Sequence, residues 1–164
     1  MRAREFITNQ LNENGNGSKI YYHVSPNENR QSILQQGLQP LNKRFLTVVR
    51  KPGVFMFSDF TGATEWVLAI SMTYPEISDV WRIDLPDTYQ VVKDPSWDME
   101  RFNAVVTYQD IPPQYLSLVP IKEIKDDIFK RYHLEGLEEL LKLGGLIPIP
   151  AEFKKILDLF KLKI

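Results

Sequence analysis

The run from Lys19 to Pro40, KIYYHVSPNENRQSILQQGLQP, constrains the chain more than any other, because strand, turn and helix are all specified within it. An apolar strand leads into His23. Ser25 is a good N-cap, Pro26 suits the first helical position and Glu28 stands three residues after the cap, so the helix start reads as a capping box. Ile33 and Leu34 supply a buried stripe. Gly37 can take the left-handed conformation just past the helix, with Leu38 folding back on Ile33 in a Schellman-type end. His23 is therefore expected at a strand end beside a helix amino terminus, where backbone N–H groups favour an anionic ligand.

Composition narrows the chemistry. With 164 residues the chain is long enough for one full core and too short for two comfortable domains. Twenty basic residues stand against 21 acidic ones, a formal net charge of -1, so nothing electrostatic calls for nucleic acid or an anionic membrane as the main partner. There is no cysteine, which excludes disulfides, thiolate metal sites and a cysteine nucleophile; His23 and His133 are the only histidines, which excludes a histidine-rich metal site. No apolar run reaches signal-peptide length or the roughly 18 residues that suggest a membrane span. The expectation is a cytoplasmic protein with no membrane partner.

Along the chain, Met1 to Gln10 suits a short amphipathic helix, and LNENGNGS reads as a tether. Residues 1–18 are thus a flexible N-terminal segment, a frayed terminus or a removable leader. Leu41 to Pro52 shows no clear period and reads as a loop with room for a short strand. GVFMF (53–57) is a buried strand. The helix that follows it, in SDFTGATEWVLAISM, carries Ala63, Trp66, Val67 and Ile70 at near-helical spacing. DVWRIDL (79–85) alternates with period two; further strands are expected at Tyr89–Val92, Ala104–Tyr108 and Tyr115–Val119. Strands outnumber helices, which favours a mixed sheet flanked by helices over a doubly wound parallel one. From Lys122 onward, IFKRYHLEGLEELLKL and AEFKKILDLFKLKI are amphipathic helices. Residues 122–164 are expected to cap the sheet or to offer Phe153, Ile156, Leu157, Phe160 and Leu162 to a protein partner or a second copy.

The order of these pieces resembles the NAD-binding core of the ADP-ribosyltransferase-like superfamily over residues 19–121. The motif that carries it is Tyr22-His23 with Ser25, followed by the helix ending Ile33-Leu34 and Gly37-Leu38. The RNA 2′-phosphotransferases and the DNA-modifying toxins of that fold share this motif. The layout is most similar to the small rifamycin-modifying transferases, whose elements match His23, Val54-Phe55, Ala63 and Trp66, Leu85-Pro86, and Asp94-Pro95. The resemblance implies an α+β fold with a largely antiparallel split sheet, flanking helices and added C-terminal helices. It also implies NAD as substrate, with transfer of ADP-ribose to a protein, nucleic acid or small-molecule acceptor. In that scheme His23 holds the nicotinamide ribose, with Tyr22, Ser25, Gly37, Phe55, Phe57 and Trp66 around the dinucleotide. An aromatic stacks on the nicotinamide, and Asp94 stabilises the positive charge that develops on the ribose.

Other readings stay open beside it. Phe55, Phe57 and Trp66 serve equally as core, and Asp94 before Pro95 as a turn residue. Phe55 stands where the family usually has tyrosine. Against the polymerase-like members, Asn103-Ala104-Val105 aligns with Asn-Glu-Tyr, which puts Ala104 at the glutamate position and leaves Glu100 and Asp110 as neighbouring acids. A module that only binds NAD or ADP-ribose is one alternative. A 2′-phosphotransferase using Lys43, Arg44, Arg50 and Lys51 to grip phosphate is another.

Overall fold

Period-two apolar runs become strands, and the glycine- and proline-marked breaks become the points where the chain reverses. The computed structural model describes residues 18–44, 47–71, 78–95, 101–134, 136, 156–158 and 160, with 42–44 and 47–50 as backbone only. Strand β1 (Ser18–Ser25) leads through a short 3-10 turn into helix α1 (Arg30–Gln36). A hairpin of β2 (Leu41–Arg44) and β3 (Thr47–Phe57) follows, then helix α2 (Phe60–Ser71). Next come β4 (Asp79–Pro86), β5 (Val91–Lys93), β6 (Ala104–Thr107), β7 (Leu116–Leu118) and helix α3 (Ile121–Arg131).

The strands form one open sheet in the order β5-β6-β3-β1-β4-β7, with β2 attached to β3. Every ladder among the described residues is antiparallel. All eight residues of β1 pair with β4, from Ser18 opposite Pro86 to Ser25 opposite Asp79. Against β3 the same strand pairs only at Tyr22 and Phe57. Two well-made halves therefore meet at one residue pair, and the sheet splits there. The expected α+β class with a mostly antiparallel sheet is observed.

Each face of the sheet carries its own core. On one side Ile33, Leu38, Val54, Met56, Trp81, Ile83, Leu85 and Ile111 cluster beneath α1. Trp81, Ile83 and Leu85 are at most 1% exposed, each stabilising the fold by roughly 1.5–3 kcal/mol through burial. On the other side α2 and α3 cover Val24, Phe57, Val80 and Ala104, joined by Leu134, Ile156 and Leu157. Ile156, Leu157 and the partly buried Phe160 thus pack within the chain's own core; Phe153 and Leu162 lie outside the described residues.

Several local expectations are corrected. Ser25 caps no helix, because it is the last residue of β1 and its hydroxyl accepts the buried Trp81 indole N–H at 3.1 Å. Pro26 and Asn29 precede the 3-10 turn and α1 without a side-chain cap bond. Leu34 is 52% exposed, and only Ile33 of α1 is buried. The C-terminal end of α1 does close on Gly37, at φ 76°, whose N–H donates to the Ile33 carbonyl at 2.9 Å. The next N–H, of Leu38, goes to Ile111 rather than back into the helix, so the end is the simpler left-handed cap and not a Schellman motif. Residues 41–52 are a hairpin rather than a loop, and the strand expected at 89–92 falls at 91–93. The helix expected through IFKRYHLEG starts earlier, at Ile121, and stops at Arg131, where His133 takes φ 55°. The N-terminal segment and most of the second C-terminal helix lie outside the described residues.

Candidate functional site: the His23 cleft

The split between β1 and β3 makes the site. If the ladder continued past Tyr22 and Phe57, Ser25 would come to face Val54. It stops instead, and a cleft of about 240 Å³ opens between Ser25 and His23 on one strand and Gly53, Val54 and Phe55 on the other. The stop leaves backbone groups of β3 without ladder partners, a cost that buried polar groups must recover elsewhere. His23 recovers one of them: its Nδ1 lies 2.7 Å from the Phe55 carbonyl oxygen. An N–H on Nδ1 donates to that carbonyl, so the neutral ring keeps its lone pair on Nε2. Burial lowers the His23 pKa and outweighs the opposing effect of the Phe55 bond, which favours this neutral form at pH 7.

Helix α1 forms the opposite wall. Asn29, Ser32 and Gln36 line the cleft with Ile33, Gly37, Leu38 and Gln39, and Leu41 closes one end. Gly37 is required where it stands, since a Cβ there would sit 2.1 Å from the Ile111 carbonyl oxygen in a backbone conformation that L side chains rarely adopt. His23 is the only titratable side chain among the described lining residues; the rest are hydroxyls, amides and apolar groups. Such a cleft selects an uncharged, hydrogen-bonding group with one apolar side.

His23, Ser25, Gly37 and Phe55 are brought together here, as the resemblance implied. Phe55 contributes its carbonyl; alternation with Val54 and Met56, which join the cleft-side core, puts its ring on the other face of β3. Tyr22, Phe57, Trp66 and Asp94 are not part of the cleft. Tyr22 lies on the α2 side, its ring centroid 5.2 Å from that of Phe60, and burial foremost raises its phenol pKa. Phe57 and Trp66 meet at 6.3 Å in the α2-side core, where Trp66 also meets Phe102 edge-on at 5.2 Å. Asp94 follows β5, three strands from β1; its N–H donates to the Ala104 carbonyl at 3.0 Å, which places it opposite Ala104 and, through Phe57, on the α2 face. Glu100 lies outside the described residues. Asp110 is exposed and adjoins Ile111, which exchanges backbone bonds with Leu38 of the cleft wall.

Asn29, Ser32, Gln36 and Gln39 were not singled out from the sequence. Their spacing along α1, opposite the exposed Leu34, is a polar stripe that an amphipathic reading of the helix would have exposed. A more open depression of about 410 Å³ lies on the α2 side, bordered by Glu65, Leu68, Ala69, Arg101 and Phe102. No cluster of potential metal ligands, and no helix long and apolar enough to cross a membrane, occurs among the described residues. Comparison with protein-family models, with curated proteins and with solved structures returns no match for this chain.

Proposed function

We propose that this chain is an NAD-dependent mono-ADP-ribosyltransferase that holds the base and ribose of NAD in the His23 cleft. The observation that carries the reading is the His23 ring set across the split in the sheet, donating from Nδ1 to Phe55 and leaving Nε2 as an acceptor at the cleft. A neutral acceptor there suits a sugar hydroxyl, and the uncharged lining suits a carboxamide or base rather than phosphate. The diphosphate would then lie outside, toward the hairpin that carries Lys43, Arg44, Arg50 and Lys51. That hairpin springs from the cleft rim at Leu41 and Gly53, which pair with each other.

Cleaving the glycosidic bond of NAD develops positive charge on the ribose, so transfer needs a carboxylate near the reacting carbon. Asp94, the acid favoured by the resemblance, stands on the opposite face of the sheet from His23. This placement favours a second reading, a module that binds NAD or ADP-ribose without turnover. Calorimetric titration with NAD and chromatographic assay of nicotinamide release separate the two. A transferase binds NAD and releases nicotinamide slowly without acceptor, and one of Asp94→Asn, Glu100→Gln or Asp110→Asn lowers release roughly a hundredfold while sparing affinity. Binding with no release in the parent assigns the second reading; no binding refutes both.

A further inference from the structure

Helix α1 is a wall of the cleft, yet it is held lightly. It has seven residues and only Ile33 is buried. Its C-terminal end is fixed by the paired backbone bonds between Leu38 and Ile111, at 2.9 and 2.8 Å, and by the tight seat of Gly37. Its N-terminal end has no side-chain cap. What ties that end down is Arg30, whose Nε and Nη2 donate to both carboxylate oxygens of Asp79 at 2.9 and 2.6 Å. Asp79 is the first residue of β4 and pairs with Ser25, two residues past His23.

We infer that Arg30 and Asp79 are positioning residues whose two-pronged ion pair holds the α1 wall against the strand that carries His23, and so sets the width of the cleft. The ligand arm of this inference rests on the NAD reading above. The Arg30 side chain is 47% exposed and that of Asp79 only 5%, so the latch is reached from solvent on one side and anchored in protein on the other. A planar guanidinium matches a carboxylate with two parallel bonds, which an ammonium cannot reproduce. Loss of Arg30 frees one end of a short helix whose other end stays bolted to Ile111. The wall swings; the sheet stays.

The test uses the full chain with Arg30→Met, Arg30→Lys and Asp79→Asn, read by hydrogen exchange and by NAD titration. In Arg30→Met the amides of residues 30–36 are expected to exchange about tenfold faster or more, with β1 and β4 as protected as in the parent. Arg30→Lys restores part of the protection, and the NAD dissociation constant rises in the same order, by about tenfold in Arg30→Met. Unchanged exchange in α1, or a looser α1 with unchanged NAD affinity in a parent that binds, overturns the inference. Should Arg30→Met lose β1 and β4 protection as well, Arg30→Lys and Asp79→Asn decide by the same comparison of α1 against the sheet. A parent that does not bind NAD refutes the functional reading alone, and the exchange result then decides the latch by itself.

Discussion

At the scale of single residues, His23 performs a structural and a chemical task at once. Its Nδ1 satisfies the Phe55 carbonyl where the ladder has stopped, and Nε2 is left for a ligand. His23→Ala should weaken NAD binding at least about tenfold, or about 1.4 kcal/mol, by titration. It should also lower stability by about 1–3 kcal/mol in urea unfolding, because the Phe55 carbonyl loses its partner. Burial lowers the His23 pKa in the fold, so between the folded value and about 6.5 the unfolded chain binds more protons than the native one. Stability tied to this residue is therefore full above pH 6.5 and falls as pH drops through that window. The parent should lose more urea resistance between pH 7 and pH 5 than His23→Ala does; equal losses would show that the ring carries no such linkage. Gly37 offers a second check. Gly37→Ala combines a positive φ with a Cβ 2.1 Å from the Ile111 oxygen, and should cost about 1–3 kcal/mol while reducing NAD binding through the displaced wall.

At the scale of elements, α2 shows how a local signal and a distant contact share one residue. Asp59 precedes the helix, and its Oδ1 accepts the Gly62 N–H at 2.6 Å, an N-cap bond. Its Oδ2 accepts from the Asn103 side-chain amide at 2.7 Å, tying the helix start to the turn before β6, where Asn103 itself holds φ 53°. Asp59→Ala should lower stability by about 1–2 kcal/mol in chemical denaturation, and Asp59→Asn by less, since the amide oxygen still caps. The helix was legible from Ala63, Trp66, Val67 and Ile70, whose spacing needs no tertiary information. The Asn103 bond was not, because it spans 44 residues and leaves no period in the chain. The same divide explains α1: Gly37 announced its end, whereas Ser25 was drawn from capping into β1 by a Trp81 indole 56 residues away.

At the scale of the whole molecule, the α2 face of the sheet depends on the chain beyond β7. Ile124, Ile128, Phe129, Leu134, Ile156 and Leu157 are buried in the same cluster as Val24, Phe57 and Val80. Between α2 and α3, Arg131 bonds Glu65 and Asp127, and the Thr64 hydroxyl donates to Asp127 at 2.7 Å. Truncation after Val119 removes all of these and bares an apolar face larger than monomeric proteins usually expose. The truncated chain should be insoluble or melt well below the parent in a thermal scan; a soluble fragment of parental melting temperature would show that the face does not need this cover.

The amino-acid order by itself determined the strands and helices that rest on local periodicity, the mixed class of the sheet and the junction that carries His23. Those follow from neighbours within a few residues, through side-chain alternation and backbone preference. Tertiary structure alone decided that β1 and β3 part after one pair of residues, that Phe55 meets His23 with its carbonyl, and that Asp94, Phe57 and Trp66 face away from the cleft. The physical reason is the antiparallel ladder: a register between strands more than thirty residues apart assigns each side chain to a face, and no local pattern contains that register.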